Sequence, residues 1–124
     1  MADEKIERYL IDCMIRYRKL EGELWLLEEH DLEGVVVMHA DPLVIVRVVV
    51  MDAPAEHRLE LFTRLLELNA NDVLHGAYAL EDDKIVLIDT LEYDTMDYTE
   101  FRATLDAFSL ALTQHYPILS KYRG

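Results

Sequence analysis

The sequence is poor in the residues that characterise several large classes of protein. Its 124 residues include one cysteine, four glycines and three prolines. The lone Cys13 cannot form an internal disulfide, so a hydrophobic core rather than a disulfide framework must hold the fold. The glycines are too scattered to form a phosphate-binding loop. No apolar run approaches the ~20 residues that a membrane-spanning helix needs.

Basic residues are scarce relative to acidic ones. Twelve Lys and Arg stand against 25 Asp and Glu, which gives a formal net charge of −13. Such a field repels nucleic acid and anionic membranes, because phosphate binding needs clustered cations. We therefore expect no nucleic-acid or membrane partner, and a preference for basic or amphipathic protein partners. The polar start at residues 1–5 and the single cysteine predict a cytoplasmic location.

Signals of catalysis and metal binding are weak throughout the sequence. The five histidines show none of the paired spacings of a zinc site. The acidic residues between 89 and 97 lack the alternating ligands and central glycine of a calcium loop. Cys13 lies on an apolar stripe, and neither Ser109 nor Ser120 stands in a nucleophile motif. We predict that the protein is not an enzyme and uses no metal or cofactor.

What the sequence does contain is a hydrophobic fraction of 52%, arranged in helix-like and strand-like periods. These periods predict one domain over residues 1–124 with the element order α-β-β-β-α-β-β-α. The last helix begins with Asp97 and Glu100 at the spacing of a capping box. Antiparallel strands with segregated helices define an α+β fold. The predicted helices cover residues 2–21, 54–68 and 98–115, and the predicted strands cover residues 24–29, 34–39, 43–51, 78–80 and 85–91.

The strand at residues 43–51 is apolar on both faces. Residues of a strand alternate between its faces, so Val44, Val46, Val48 and Val50 share one face. A sheet covered by helices on one face only would show polar residues on the other. Here the second face is apolar except for one arginine, so a further element or another protein must cover it. That second face is the predicted dimer or client interface: Leu43, Ile45, Arg47, Val49 and Met51.

Two further features of the sequence bear on binding. A guanidinium in mid-strand needs a carboxylate or a path to water, so Arg47 either reaches solvent at a sheet edge or anchors an interface. The predicted middle helix offers a second candidate apolar patch, which consists of Leu61, Phe62 and Leu65.

The order and spacing of these elements resemble a known family. The matching segments are residues 43–54, the helix end at 65–69, the segments 76–81 and 84–88, and the helix entry at 96–101. Together they resemble the type III secretion chaperone-like fold, shared by class I secretion chaperones (the CesT or Tir-chaperone family) and the related YbjN family. The resemblance implies an acidic, cytosolic homodimer without enzymatic activity or cofactor. In secretion chaperones the client is an extended segment of a secreted effector.

A second hypothesis remains open from the sequence alone. The chain could instead be a regulatory domain that senses a small molecule in an apolar pocket between the sheet and the helices. A protein-binding module is the leading hypothesis, because the spare apolar face on residues 43–51 fits a dimer seam or a peptide groove.

Overall fold

A computed structural model describes residues 2–123 of the chain. Two short 3-10 turns lie at His30–Leu32 and Ser120–Tyr122. The helices are α1 (Ala2–Asp12), α2 (Arg58–Asn71) and α3 (Tyr98–Leu119). The strands are β1 (Tyr17–Leu20), β2 (Leu24–Leu27), β3 (Val36–Ala40), β4 (Leu43–Asp52), β5 (Ala77–Glu81) and β6 (Lys84–Glu92).

The six strands form a single antiparallel sheet. Its order is β1-β2-β3-β4-β6-β5, so β4 is central and β1 and β5 form the two edges. The predicted α+β class with an antiparallel sheet is therefore confirmed. The buried side chains of the helices join those of one sheet face in a single hydrophobic cluster, whose largest members are Trp25, Phe101 and Phe108. We call the helix-covered face the inner face and the opposite one the outer face.

The main difference from the predicted order is an additional strand near the start. The sequence predicts a helix over residues 2–21, but α1 ends at Asp12. Met14 adopts a left-handed backbone with φ of 59°, and the Ile15 N–H donates to the Leu10 carbonyl at 3.0 Å. A left-handed residue stops a helix in this way. The chain then turns back, and Tyr17–Leu20 pairs with β2 instead of continuing the helix.

The later helices also differ from the predicted bounds. β4 continues to Asp52, and α2 begins only after His57, whose left-handed φ of 62° places it at the N-cap. The predicted start of this helix at residue 54 is therefore wrong. α3 extends through Pro117 to Leu119 rather than ending near His115. The predicted capping box is confirmed, since Glu100 N–H donates to Asp97 Oδ1 at 2.8 Å and Asp97 N–H to Glu100 Oε1 at 3.0 Å.

Candidate protein-binding surface

The two faces of β4 have different surroundings. On the inner face Val44 and Val46 are fully buried in the core, and Val48 is 5% exposed. On the outer face Ile45 is half-buried, and Val49 is 44% exposed. The predicted separation of the strand into two apolar faces is present up to Val49.

A β-bulge changes the alternation at the end of β4. Val49 pairs with Val86 and Met51 pairs with Ile85, so Val50 has no partner of its own in the register. An extra residue of this kind shifts all following side chains to the opposite face. Met51 therefore packs in the core with 7% of its surface exposed. The prediction that Met51 shares the outer face with Ile45 is wrong.

The apolar outer face extends beyond β4 across most of the sheet. None of its aliphatic residues belongs to the core cluster or packs against it, so no helix within residues 2–123 covers this face. The strand register defines two rows of cross-strand neighbours. One row is Leu26, Val36, Arg47, Ile88 and Ala77, and the other is Leu24, Met38, Ile45 and Thr90. Leu43 and Val49 flank these rows on β4.

Arg47 lies in the middle of the outer face and is paired. Its Nε and Nη2 donate to Glu81 Oε1 at 2.9 Å and 2.7 Å. The register places Val86 of β6 between the two partners, and Val86 is fully buried although it points outward. Because β4 is central, Arg47 does not reach solvent at an edge, which removes that explanation of its position. The pair gives this apolar face a polar centre without net charge.

The second predicted patch is mostly inside the core. Leu61 is fully buried and Leu65 is 6% exposed, so neither of them forms a surface. Phe62 is half-buried and lines a shallow cleft of about 160 Å³ together with Leu66 and Leu80. The helical period of the sequence identifies the apolar positions of α2. In the structure these residues divide between the core and this cleft.

The two edges of the sheet differ in how their backbone groups are satisfied. At β5, the Tyr78 N–H donates to Asn69 Oδ1 at 2.7 Å, and Asn69 Nδ2 donates to the Tyr78 carbonyl at 3.2 Å. The carboxamide of α2 thus occupies the positions that a further strand would take. We call this arrangement the Asn69 cap. The sequence indicates Asn69 only as part of a helix end, because its contact with β5 exists only in the folded chain.

The opposite edge of the sheet, formed by β1 and the residue before it, carries basic side chains although the chain as a whole is acidic. Arg16 pairs with Glu29 at 2.8 Å and Arg18 with Glu28 at 3.5 Å. The Glu28 N–H donates to the Arg16 carbonyl. Since antiparallel ladders alternate bonded and non-bonded pairs, the N–H and C=O of Tyr17 point away from β2. The outward edge of β1 therefore presents strand-like backbone groups.

Other groups in the structure do not assemble a reactive site. Burial raises the pKa of the Cys13 thiol above its ordinary value, which disfavours the reactive thiolate. Among the side chains that the structure describes, residues 5–123, no group of three His, Cys, Asp or Glu is placed to hold a metal ion. Within the same residues, no helix is both long and apolar enough to cross a bilayer.

The cavities give the small-molecule hypothesis little support, since the apolar cleft beside α2 holds only about 160 Å³ and the larger cavity has charged side chains among its apolar ones. A cavity of about 440 Å³ opens between the sheet and the end of α3. Its lining includes the polar side chains of His30, Asp31, Glu33, His115 and Arg123. Small-molecule pockets are more commonly lined by hydrophobic and aromatic side chains. This hypothesis is therefore not favoured.

Comparisons with known proteins agree with the predicted resemblance. The CesT_Tir_1 family model matches residues 2–123. No curated protein matches the chain. The Yersinia pestis type III secretion chaperone SycH, solved with a fragment of YscM2, is 13% identical with a TM-score of 0.66, covering 92% of this chain and 98% of that chain.

Two other solved structures are similar to this chain. One comes from the Pseudomonas aeruginosa ExoU–SpcU heterodimeric complex of the type III secretion system, with 13% identity, a TM-score of 0.65, and coverage of 90% of this chain and 95% of that chain. YbjN from E. coli is 18% identical with a TM-score of 0.65, covering 92% of this chain and 90% of that chain. At these identities the likenesses show the fold, which is that of the secretion chaperones and YbjN.

Proposed function

We propose that this chain, which belongs to the CesT_Tir_1 family, is a non-catalytic homodimeric module that binds an extended segment of another protein. The observation that carries the proposal is the apolar outer face of the sheet, which no helix within residues 2–123 covers. Two of the similar structures are complexes with a second protein, which supports a protein client.

A second copy of the chain is the occupant that we propose for the outer face. The net charge of −13 repels copies of the chain from one another at most orientations. This repulsion is weak at the centre of the outer face, because the charges of Arg47 and Glu81 neutralise each other. A two-fold interface places the same patch on both subunits, which suits a flat apolar surface.

We propose that the client binds at β1 as an added strand. Strand addition uses the backbone groups of an exposed edge, so it tolerates clients of different sequence. The Tyr17 backbone groups are oriented for this purpose, and the Asn69 cap disfavours the same event at β5. A dimer seam on the outer face and a client at β1 are compatible, because one uses a sheet face and the other an edge.

Light scattering on purified protein tests the dimer. We expect the wild type to have twice the mass of the chain, and Ile45→Asp and Val49→Asp to be folded monomers. Leu66→Asp is the matched control, since Leu66 is 68% exposed on α2, away from the outer face. A wild type that remains a monomer at micromolar concentration would overturn the dimer. Dissociation by Leu66→Asp alone would move the seam to the α2 cleft.

Hydrogen exchange tests the client site. Proteins captured by the wild-type dimer would be released, identified and added back in purified form. We expect client binding to slow exchange at Tyr17–Leu20 and leave Ala77–Glu81 unchanged. Slowed exchange at β5, or slowing confined to the helices, would contradict strand addition at β1.

A further inference from the structure

Tyr78 is the point where three elements of the fold are joined. Its backbone is held by Asn69 of α2 through the Asn69 cap. Its hydroxyl lies 2.7 Å from Nδ1 of His115 on α3, and both side chains are almost fully buried. The position of the edge strand β5 therefore depends on one hydrogen bond in the core as well as on the cap.

Tyr78 can donate to His115 Nδ1 only while the imidazole is neutral. Burial raises the pKa of Tyr78 well above its ordinary value, so the hydroxyl keeps its proton and donates it. We assign the proton of the neutral ring to Nε2, which lies 3.6 Å from Asp72 Oδ2, so that Nδ1 accepts from Tyr78. Burial, as the largest effect, lowers the pKa of His115 below 6.5, partly offset by Asp72, while Arg64 lowers it further.

The surroundings of His115 determine what a second proton would do. The groups that face it are Tyr78 on β5, Arg64 on α2 and Asp72, which follows the end of α2. The cavity of about 440 Å³ also brings the charged or titratable groups His30, Asp31, Glu33 and Arg123 to its side and gives solvent access. Asp72 is about half-exposed, so it compensates a buried imidazolium only in part.

We propose that the protonation state of His115 controls the stability of β5 at the edge of the sheet. While the imidazole is neutral, β5 stays in place and the edge is closed. When the imidazole takes up a second proton, β5 is loosened. Uptake of a proton from solvent at Nδ1 turns this atom from an acceptor into a donor. The Tyr78 hydroxyl must then accept, and its own proton loses the acceptor within a buried site. The contact persists only with its direction reversed, and opening β5 exposes both the unpaired Tyr78 proton and the buried imidazolium to water, so protonation favours a mobile β5.

The direction of the pH effect follows from the lowered pKa of His115. A histidine whose pKa is lower in the folded than in the unfolded state contributes stability above its unfolded value. This contribution is lost as the pH falls through 6.5 and toward the folded-state pKa of His115. The edge is therefore closed at neutral pH and loosens in mild acid.

Native-state hydrogen exchange, corrected for intrinsic rates, tests the proposal. Between about pH 7.5 and about pH 5.5, the range in which histidine titrates, we expect protection at β5 to fall by up to about tenfold, because pH 5.5 lies one unit below the ordinary histidine pKa of 6.5. Protection at the central β3 should change much less. In His115→Asn the amide oxygen can accept from Tyr78 without titrating, so β5 should be insensitive to pH.

Two results would overturn the proposal. One is protection at β5 that does not depend on pH in the wild type, and the other is an equal pH dependence in His115→Asn. If His115→Asn fails to fold, Tyr78→Phe replaces it, since this variant lacks the hydroxyl but keeps the ring. β5 should then be looser than in the wild type at pH 7.5 and respond less to pH, the remaining response coming from the burial that still lowers the pKa of His115. An undiminished wild-type pH response in Tyr78→Phe would also overturn the proposal.

Discussion

The two faces of β4 carry the same kinds of side chain but have different roles. Val44 and Val46 are fully buried beneath the helices, while Ile45 and Val49 lie on an apolar face that the helices of residues 2–123 leave open. Fully burying one such side chain contributes ~1.5–3 kcal/mol. The inner face realises this free energy when the chain folds. The helices of residues 2–123 do not realise it on the outer face, so the location of a valine, and not its type, decides what it stabilises.

The largest expected effect is a difference in unfolding free energy between variants at two adjacent residues of β6. Leu87 is fully buried on the inner face opposite Val48, and Ile88 is half-buried on the outer face opposite Arg47. We expect Leu87→Ala to lower the free energy of unfolding by ~2–5 kcal/mol. Ile88→Ala should cost less than ~1 kcal/mol when the protein is dilute enough to be monomeric. Urea unfolding of both variants measures this, and equal losses would contradict the distinction between the faces.

An intermediate effect is expected at the β5 edge, where the two faces meet. Asn69→Ala removes both hydrogen bonds of the Asn69 cap and leaves the Tyr78 backbone groups without them. We expect a loss of ~1–3 kcal/mol in the free energy of unfolding. Asn71→Ala is the matched control, because Asn71 is exposed and its side chain donates to the Glu67 carbonyl within its own helix. Equal unfolding midpoints for the two variants would show that the cap contributes nothing.

The smallest effect on stability is expected from the polar centre of the outer face. Arg47 and Glu81 are each more than a third exposed, and pairs of this kind contribute ~0–1 kcal/mol. Replacing both together, Arg47→Met with Glu81→Met, should leave the unfolding midpoint of the monomer almost unchanged. Self-association should become tighter and less specific, as sedimentation would show. A large loss of monomer stability would instead identify the pair as part of the folding core.

The sequence predicted the fold class because most apolar periods are long and regular. The region after α1 was assigned incorrectly, because Tyr17 and Leu20 fit a helical spacing as well as a strand. The left-handed backbone of Met14 ends the helix, and methionine is not a residue type that signals such a turn. The predicted start of α2 is wrong for a similar reason. Pro54 suits a first helical turn, but β4 pairs with β6 as far as Asp52.

The candidate surface could be predicted only in part. Alternation assigned Ile45 and Val49 to an apolar outer face, which is where they lie. It failed at Met51, because a run of valines contains no polar residue that marks the bulge at Val50. On α2, periodicity identified the apolar positions but not which of them face the core. The Asn69 cap depends on a contact between α2 and β5, which no local pattern contains.

The Asn69 cap also sets an upper limit on assembly. A sheet with two exposed edges can add strands in both directions and grow into a filament. Here one edge is occupied by a side chain of the same molecule, which leaves a single direction for growth. Under the proposed strand addition at β1, each subunit accepts one segment, and no further strand is added at β5. The expected stoichiometry is therefore one client segment per subunit, and a complex of defined size rather than a polymer.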